Sequence, residues 1–273
     1  MINKCVFPIA GFGTRFLPVT KVVPKEMLPV FSKPLIEYAV QEALESGIKE
    51  MVMITNKYKE SIKNYFEPHD YLNDLIKGTD KEKLLSSQKK ISDSCNFYFE
   101  NQDEMLGLGH AILQAKKIFD DESFASILPD DLCHSEGESV LEQMVKVHNQ
   151  YPDKCIVAVE EVNYSEVSKY GIIKAKSIVN SQLYEVADMI EKPDEADAPS
   201  NLAIIGRYIF TAEIFEMIEK TNPDHNGEIQ ITNALRSLAI ENKVLALKFK
   251  GKRIDCGSPE GYVEANLFFK DLN

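Results

Sequence analysis

The chain has 273 residues, 44% of them hydrophobic and 27% charged. This is the balance of a soluble globular protein, and the length suits one large α/β domain or two small ones. It has no run of about 18 apolar residues, which excludes a transmembrane helix. Its formal net charge of −12 argues against a protein that tracks nucleic acid, which needs a basic face. No membrane or nucleic-acid partner is expected. Met1 to Cys5 lead straight into a short apolar run without the long apolar stretch and cleavage site of a secretory signal. The five cysteines (Cys5, Cys95, Cys133, Cys155 and Cys256) are dispersed with no CxxC pair. Both features point to reduced thiols and a cytoplasmic location. The charge is uneven: Lys4, Arg15, Lys21, Lys25 and Lys33 face a single acid, Glu26, within the first 33 residues. A cationic island in an acidic protein suggests a small anionic ligand.

In chain order, residues 4–9 read as a buried strand and 10–31 as a loop punctuated by Gly11, Gly13, Pro18, Pro24 and Pro29. A helix is expected from near Ser32, with Pro34 in its first turn, Leu35, Ile36, Ala39, Val40, Ala43 and Leu44 on its apolar face, and Gly47 as its stop. Residues 50–54 form a second strand. Strand, long loop, helix and strand open a parallel α/β sheet with a right-handed crossover. A charged helical stretch over 58–93 follows, then a strand at 96–100, a helix at 109–119 and a strand at 124–128 that runs into Pro129-Asp130-Asp131. The second half is richer in strands, at 156–160, 171–175, 183–190, 202–210 and 244–249. Helices are expected near 137–149, 213–220 and 228–241, and a last one opens at Ser258-Pro259. The fold class is a Rossmann-like α/β three-layer sandwich with a mostly parallel central sheet. It forms a single domain over 1–273, with a nucleotide-binding part over about 1–150 and a strand-rich sugar-binding extension over about 151–273.

The loop Ala10-Gly11-Phe12-Gly13-Thr14-Arg15 followed by Pro24-Lys25-Glu26-Met27-Leu28-Pro29 combines main-chain N–H donors with two cations, a pattern suited to phosphate. It is not a dinucleotide fingerprint, because Phe16 stands where the third glycine belongs, and the chain contains no GxxxxGK[ST]. Asp130 and Asp255 each follow a strand, where open α/β sheets bind ligands. Either could equally be a turn residue, and Asp131 competes with Asp130 as a ligand.

These segments resemble the signature of the sugar-phosphate nucleotidyltransferases, and within them the bacterial branch that joins UTP to glucose 1-phosphate. The likeness continues through Gly107-Leu108-Gly109-His110-Ala111, Leu128-Pro129-Asp130-Asp131, Tyr170-Gly171-Ile172-Ile173 and Glu191-Lys192-Pro193. It extends to Gly206-Arg207-Tyr208, Gly227-Glu228-Ile229-Gln230-Ile231-Thr232 and Asp255-Cys256-Gly257, so it spans essentially the whole chain. Phe12, where leucine is usual, and residues 103–106 depart from it. The resemblance implies Mg²⁺ held by Asp130 and Asp255. It implies uracil read by Gln102 with the main chain of Ala10, Gly11 and Gly107, beside the turn at Gly13. It further implies Arg15 and Lys25 on the triphosphate, sugar hydroxyls on Glu191 with Gly171 close by, and the sugar phosphate on Lys192. His110 is expected to pack or cap. The ligands implied are UTP, glucose 1-phosphate, UDP-glucose and pyrophosphate, and the assembly a homodimer or homotetramer. Two rivals stay open: a thymidylyltransferase, and a regulatory subunit that keeps the fold without turnover. The presence of Arg15, Lys25, Asp130 and Asp255 speaks against the second.

Overall fold

The computed structural model describes residues 2–272. β1 (Lys4–Pro8) is the buried apolar strand expected, and the loop after it is shaped by three single 3₁₀ turns at Thr14–Phe16, Val19–Lys21 and Lys25–Met27. A small hairpin of β2 (Pro29–Val30) and β3 (Lys33–Pro34) occupies the place where a helix start at Ser32 was expected. α1 (Leu35–Glu45) therefore begins right after Pro34, which holds the N-cap position without a side-chain cap hydrogen bond. Its buried residues include Leu35, Ile36, Ala39, Val40 and Ala43, spaced to make one apolar stripe. β4 (Glu50–Thr55) follows.

The charged stretch 58–93 is not one helix. It divides into α2 (Glu60–Phe66), α3 (Asp70–Ile76), a 3₁₀ segment (Asp80–Leu85) and α4 (Ser86–Ser94). Pro68 and Gly78 interrupt it, the first by restricting the residue before it and the second at φ +75°. β5 (Asn96–Asn101), α5 (Gly107–Gln114), β6 (Phe124–Ile127) and α6 (Val140–Gln150) complete the first half. Between β6 and α6 lies a strand with no sequence signal, β7 (Asp131–His134). The second half holds β8 (Cys155–Glu161), β9 (Gly171–Asn180), β10 (Leu183–Glu191), β11 (Leu202–Phe210), α7 (Glu213–Lys220), α8 (Ile231–Ile240), β12 (Val244–Lys248), β13 (Lys252–Asp255) and α9 (Pro259–Leu272). As expected, Ser258 opens α9: its Oγ accepts the Gly261 N–H at 3.2 Å.

A nine-stranded sheet runs β5-β4-β1-β6-β11-β8-β12-β10-β9. It is mixed. The expected parallel pairing is confined to β5-β4-β1-β6 and to β8-β12. β11 enters antiparallel to both β6 and β8, and β10 pairs antiparallel with β12 and β9. Side chains alternate between its faces. On one face Val6, Val52, Val157 and Phe210 pack with α5, α7 and α8. On the other Cys5, Phe7, Met51, Met53 and Ile209 pack with α1, α2 and α6. Helix layers thus cover both faces of the sheet, giving three layers.

β7 and β13 form a separate antiparallel ribbon in which Asp131 pairs with Asp255 and His134 with Lys252. It has its own small core, in which Leu132 and Ile254 meet Ala265 and Phe269 of α9. The apolar residues of α9 divide: Tyr262 and Phe268 pack against that core, whereas Val263 and Leu267 are exposed. The ribbon delivers Asp255 to the carboxyl ends of the parallel strands. All five cysteines are free thiols, and no helix among the described residues is long and apolar enough to cross a membrane.

Candidate active site

The glycine-rich loop leaves the C-terminal end of β1, and two side chains from beyond β4 fix its first residues. Asn56 donates to the Ala10 carbonyl at 2.5 Å, and Lys59 Nζ donates to the Ile9 carbonyl at 2.5 Å. Lys59 also pairs with Glu26 at 2.7 Å, an ion pair almost fully removed from water. Burial dominates there, leaving the Lys59 ammonium below its ordinary pKa despite the Glu26 carboxylate. The second oxygen of Glu26, Oε1, is buried without a hydrogen-bond partner among the described residues. Gly13 sits at φ +62°, and a Cβ there would lie 3.0 Å from Lys25 Cβ. Its missing side chain therefore serves both the left-handed turn and the close passage of Lys25. Ala10 is buried and Gly11 exposed.

Lys25 Nζ reaches Asp130 Oδ2 at 2.5 Å. Burial raises the Asp130 carboxyl, but Lys25 and Arg15 outweigh it and hold the group below the ordinary carboxylate range. Lys25 is likewise pushed down by burial and brought back above its usual value by Asp130 and Glu26. Gly257 marks where the charges converge. A Cβ built on it would lie 2.9 Å from Asp255 Oδ1, 3.1 Å from Arg15 Nη1 and 3.2 Å from Asp130 Oδ2. Two carboxylates and two cations, from residues up to 240 positions apart in sequence, thus surround one point.

Asp131 has a different role from Asp130. It is buried, its Oδ2 accepts the Gly206 N–H at 2.9 Å, and its Oδ1 takes Arg253 Nε at 2.5 Å. Burial, then the neighbouring Asp130 and Asp255 charges, raise its carboxyl even against Arg253. With both oxygens engaged by the protein, Asp131 is a brace of the turn, whereas Asp130 turns its Oδ2 to Lys25 at the convergence point. Behind that turn lies a second buried pair: Arg207 places Nη2 2.7 Å from Glu42 Oε2 and Nη1 3.2 Å from the Leu128 carbonyl.

Gln102 continues from β5, its N–H on the Thr55 carbonyl at 2.8 Å. Its amide nitrogen donates to the Gly107 carbonyl at 3.1 Å and lies 3.1 Å from His110 Nδ1, while His110 Nε2 is 3.0 Å from the Gln114 amide. His110 thus packs between the Gln102 and Gln114 amides. Gly107, at φ +89°, opens α5, and this segment is pinned by Gly109 N–H on Ile229 O and Ile229 N–H on Leu106 O, both 2.8 Å.

The segment carrying Ile229 leads into α8 and to Thr232, whose hydroxyl donates to Glu191 Oε2 at 2.6 Å. Gly171 pairs with Glu191 across β9 and β10. A Cβ on Gly171 would fall 2.9 Å from Thr232 Oγ1 and 3.2 Å from Glu191 Oε2. Lys192 occupies the left-handed region at φ +47°. Its N–H donates to the Tyr170 carbonyl at 2.9 Å, and its half-exposed ammonium lies 3.5 Å from Glu191 Oε1.

The residues singled out in the sequence thus assemble in three groups: Ala10, Gly11, Gly13, Arg15, Lys25, Asp130 and Asp255; Gln102 and Gly107; and Gly171, Glu191 and Lys192. Backbone and side-chain contacts link the groups through Asn56 and the 229–232 segment. Sequence reasoning missed Asn56, Lys59, Glu26, Thr232 and Arg253. Thr232 lay within a recognised motif, whereas Asn56, Lys59 and Arg253 carried no local signal. Among the described residues no group of three or more metal-binding side chains converges. The protein's own donors at the convergence point are two carboxylates, a hard oxygen set that fits a divalent cation sharing phosphate oxygens.

Comparison with known proteins places this fold among nucleotidyl transferases. The nucleotidyl transferase family matches residues 9–271. A UTP–glucose-1-phosphate uridylyltransferase from Pseudomonas aeruginosa is 54% identical over 270 residues, covering 98% of this chain and 96% of that one. The crystal structure of an apo UDP-glucose pyrophosphorylase superposes with a TM-score of 0.96 at 50% identity, and that of a UDP-glucose pyrophosphorylase complexed with UDP-glucose at 0.92 and 48%. Both cover 100% of each chain.

Proposed function

The chain belongs to the nucleotidyl transferase family, and from that premise we propose that it converts UTP and α-D-glucose 1-phosphate into UDP-glucose and pyrophosphate. The observation that carries this reading is the meeting of Arg15, Lys25, Asp130 and Asp255 at one point on the strand ends. That point is joined through the main chain to an amide-bearing side at Gln102 and a carboxylate-bearing side at Glu191. Charge of both signs at a single spot suits a reaction in which polyphosphate is held and cleaved, not merely bound.

In this account Gln102 and the main chain of Ala10, Gly11 and Gly107 hold uracil. The glutamine amide oxygen can accept the imide N–H of that base. Glu191 and Gly171 hold the sugar, and Lys192 steers its phosphate. An oxygen of that phosphate attacks the α-phosphorus in line as the bond to the β-phosphate breaks, and pyrophosphate leaves with the bonding electrons. The nucleophile is already anionic at neutral pH, so no general base is needed; alignment and charge neutralisation supply the rate. Arg15 and Lys25 neutralise the departing pyrophosphate. Asp130 and Asp255 are the residues to hold Mg²⁺, which when bound supplies charge neutralisation at the phosphates. Lys25 now rests on Asp130, so both partners are placed to exchange one another for cation and phosphate. The exposed Val263 and Leu267 of α9 support a homodimer or homotetramer, and the free thiols support a cytoplasmic location.

Pyrophosphate release measured with UTP, dTTP and CTP against a panel of sugar 1-phosphates tests the reading. UTP with glucose 1-phosphate should give the highest kcat/KM. Preference for dTTP would move the chain to the thymidylyl branch, and absence of release with every pair would reject catalysis.

A further inference from the structure

Arg253 stands on β13, two residues before Asp255, with its side chain only 7% exposed. Its guanidinium joins groups from several parts of the fold. Nε donates to Asp131 Oδ1 at 2.5 Å on β7. Nη1 donates to Glu160 Oε1 at 2.8 Å on β8 and lies 3.4 Å from the Tyr170 hydroxyl. Nη2 lies 3.4 Å from Asp255 Oδ2. The guanidinium carbon also sits 5.0 Å from the centre of the Tyr170 ring, within cation–π range. The planar fork can serve these directions together, whereas an ammonium is a single point charge.

Two paths lead from this guanidinium. One goes to the carboxylate pair: directly to Asp255, and through Asp131 to the turn that presents Asp130. The other goes to the sugar side. Tyr170 immediately precedes Gly171, and its carbonyl accepts the N–H of Lys192 at 2.9 Å, the contact that steadies Lys192 in its left-handed conformation at φ +47°. We propose, on the reading given under Proposed function, that Arg253 is a positioning residue for the transfer, setting the spacing between the Asp130–Asp255 carboxylates and the Lys192 that steers the sugar phosphate. It touches no reacting atom. A buried arginine that only balances Asp131 and Glu160 would matter for stability alone, and the two roles separate by measurement.

The test uses the full chain with Arg253→Lys and Tyr170→Leu, each checked for folding by circular dichroism and melting temperature. Arg253→Lys keeps the charge but can satisfy only part of the fork. It should raise KM for glucose 1-phosphate and weaken Mn²⁺ binding, followed by paramagnetic resonance without turnover, each by about 10-fold. UTP affinity should stay within about twofold, because Arg15 and Lys25 are untouched. Tyr170→Leu cuts only the sugar path, so it should raise KM for glucose 1-phosphate and leave Mn²⁺ binding at the wild-type level. Wild-type KM and Mn²⁺ affinity in Arg253→Lys, with only the melting temperature lowered, would overturn the proposal. An unchanged KM in Tyr170→Leu would do the same for the sugar path. If the wild-type protein made no UDP-glucose, the functional reading itself would fail, and the proposal with it. If turnover is present, failure confined to the variants falls on Arg253 alone.

Discussion

Adding one methyl group at Gly171 should damage sugar-phosphate use and spare the nucleotide. The Cβ of Gly171→Ala would lie 2.9 Å from Thr232 Oγ1 and 3.2 Å from Glu191 Oε2, where ordinary contact begins at 3.4 Å. The hydroxyl must therefore give by 0.5 Å and the carboxylate by 0.2 Å (3.4 − 2.9 and 3.4 − 3.2). These two groups are bonded to each other at 2.6 Å, and Gly171 is registered directly opposite Glu191 on paired strands, so the backbone cannot open without losing ladder hydrogen bonds. Overpacking a closed site costs about 1–3 kcal/mol. Part should appear as a lower melting temperature and part as a misplaced Glu191. A disturbed hydrogen bond to a charged group accounts for about 1.5 kcal/mol or more, near a tenfold rise in KM for glucose 1-phosphate. Initial rates with glucose 1-phosphate varied at saturating UTP, alongside calorimetry of UTP binding, separate the two effects. An unchanged KM for the sugar phosphate in a folded variant would refute the reasoning. So would an equal loss of UTP affinity, because the Glu191 group would then not be a separate sugar site.

Five other substitutions test the remaining groups. Asp130→Asn or Asp255→Asn should cut turnover at limiting Mg²⁺ by two or more orders of magnitude, roughly 3 kcal/mol; near wild-type rates would remove that residue from the metal site. Gln102→Ala should narrow the kcat/KM advantage of UTP over CTP by leaving a base edge unpaired, and an unaltered ratio would show that Gln102 does not read the base. Lys192→Ala should weaken glucose 1-phosphate binding by about 10- to 150-fold with UTP binding nearly intact, whereas Lys25→Ala should lower turnover and disturb UTP or pyrophosphate. Calorimetry that found equal loss of UTP affinity in both would place the two lysines on one phosphate site.

The opening of the fold was legible because β1, β4 and β6 are apolar runs bounded by glycine, proline or polar residues, and parallel strands buried on both faces have that signature; β5, at the sheet edge, is aromatic and only partly buried. β9 proved longer than its expected 171–175 because residues 174–180 are exposed, and an unburied strand end has no hydrophobic pattern to betray it. The β7–β13 ribbon escaped notice for a related reason. Each strand has four residues, too few for alternation to register, and their pairing spans more than a hundred positions. That pairing is also what brings Asp255 to Asp130. Spacing alone left both as strand-end aspartates, and only the resemblance assigned them a shared metal. Asn56 and Lys59 illustrate the rest: a buried lysine on a carbonyl and a glutamate 33 residues away looks, in sequence, like any charge on a polar turn.

The most direct test of the account is a crystal soaked with UDP-glucose and Mn²⁺, with the metal located by its anomalous scattering. The account predicts a peak shared by Asp130, Asp255 and the diphosphate, with uracil at Gln102 and glucose at Glu191. A metal held by Asp131 in place of Asp130, or a nucleotide seated away from Arg15 and Gln102, would contradict it.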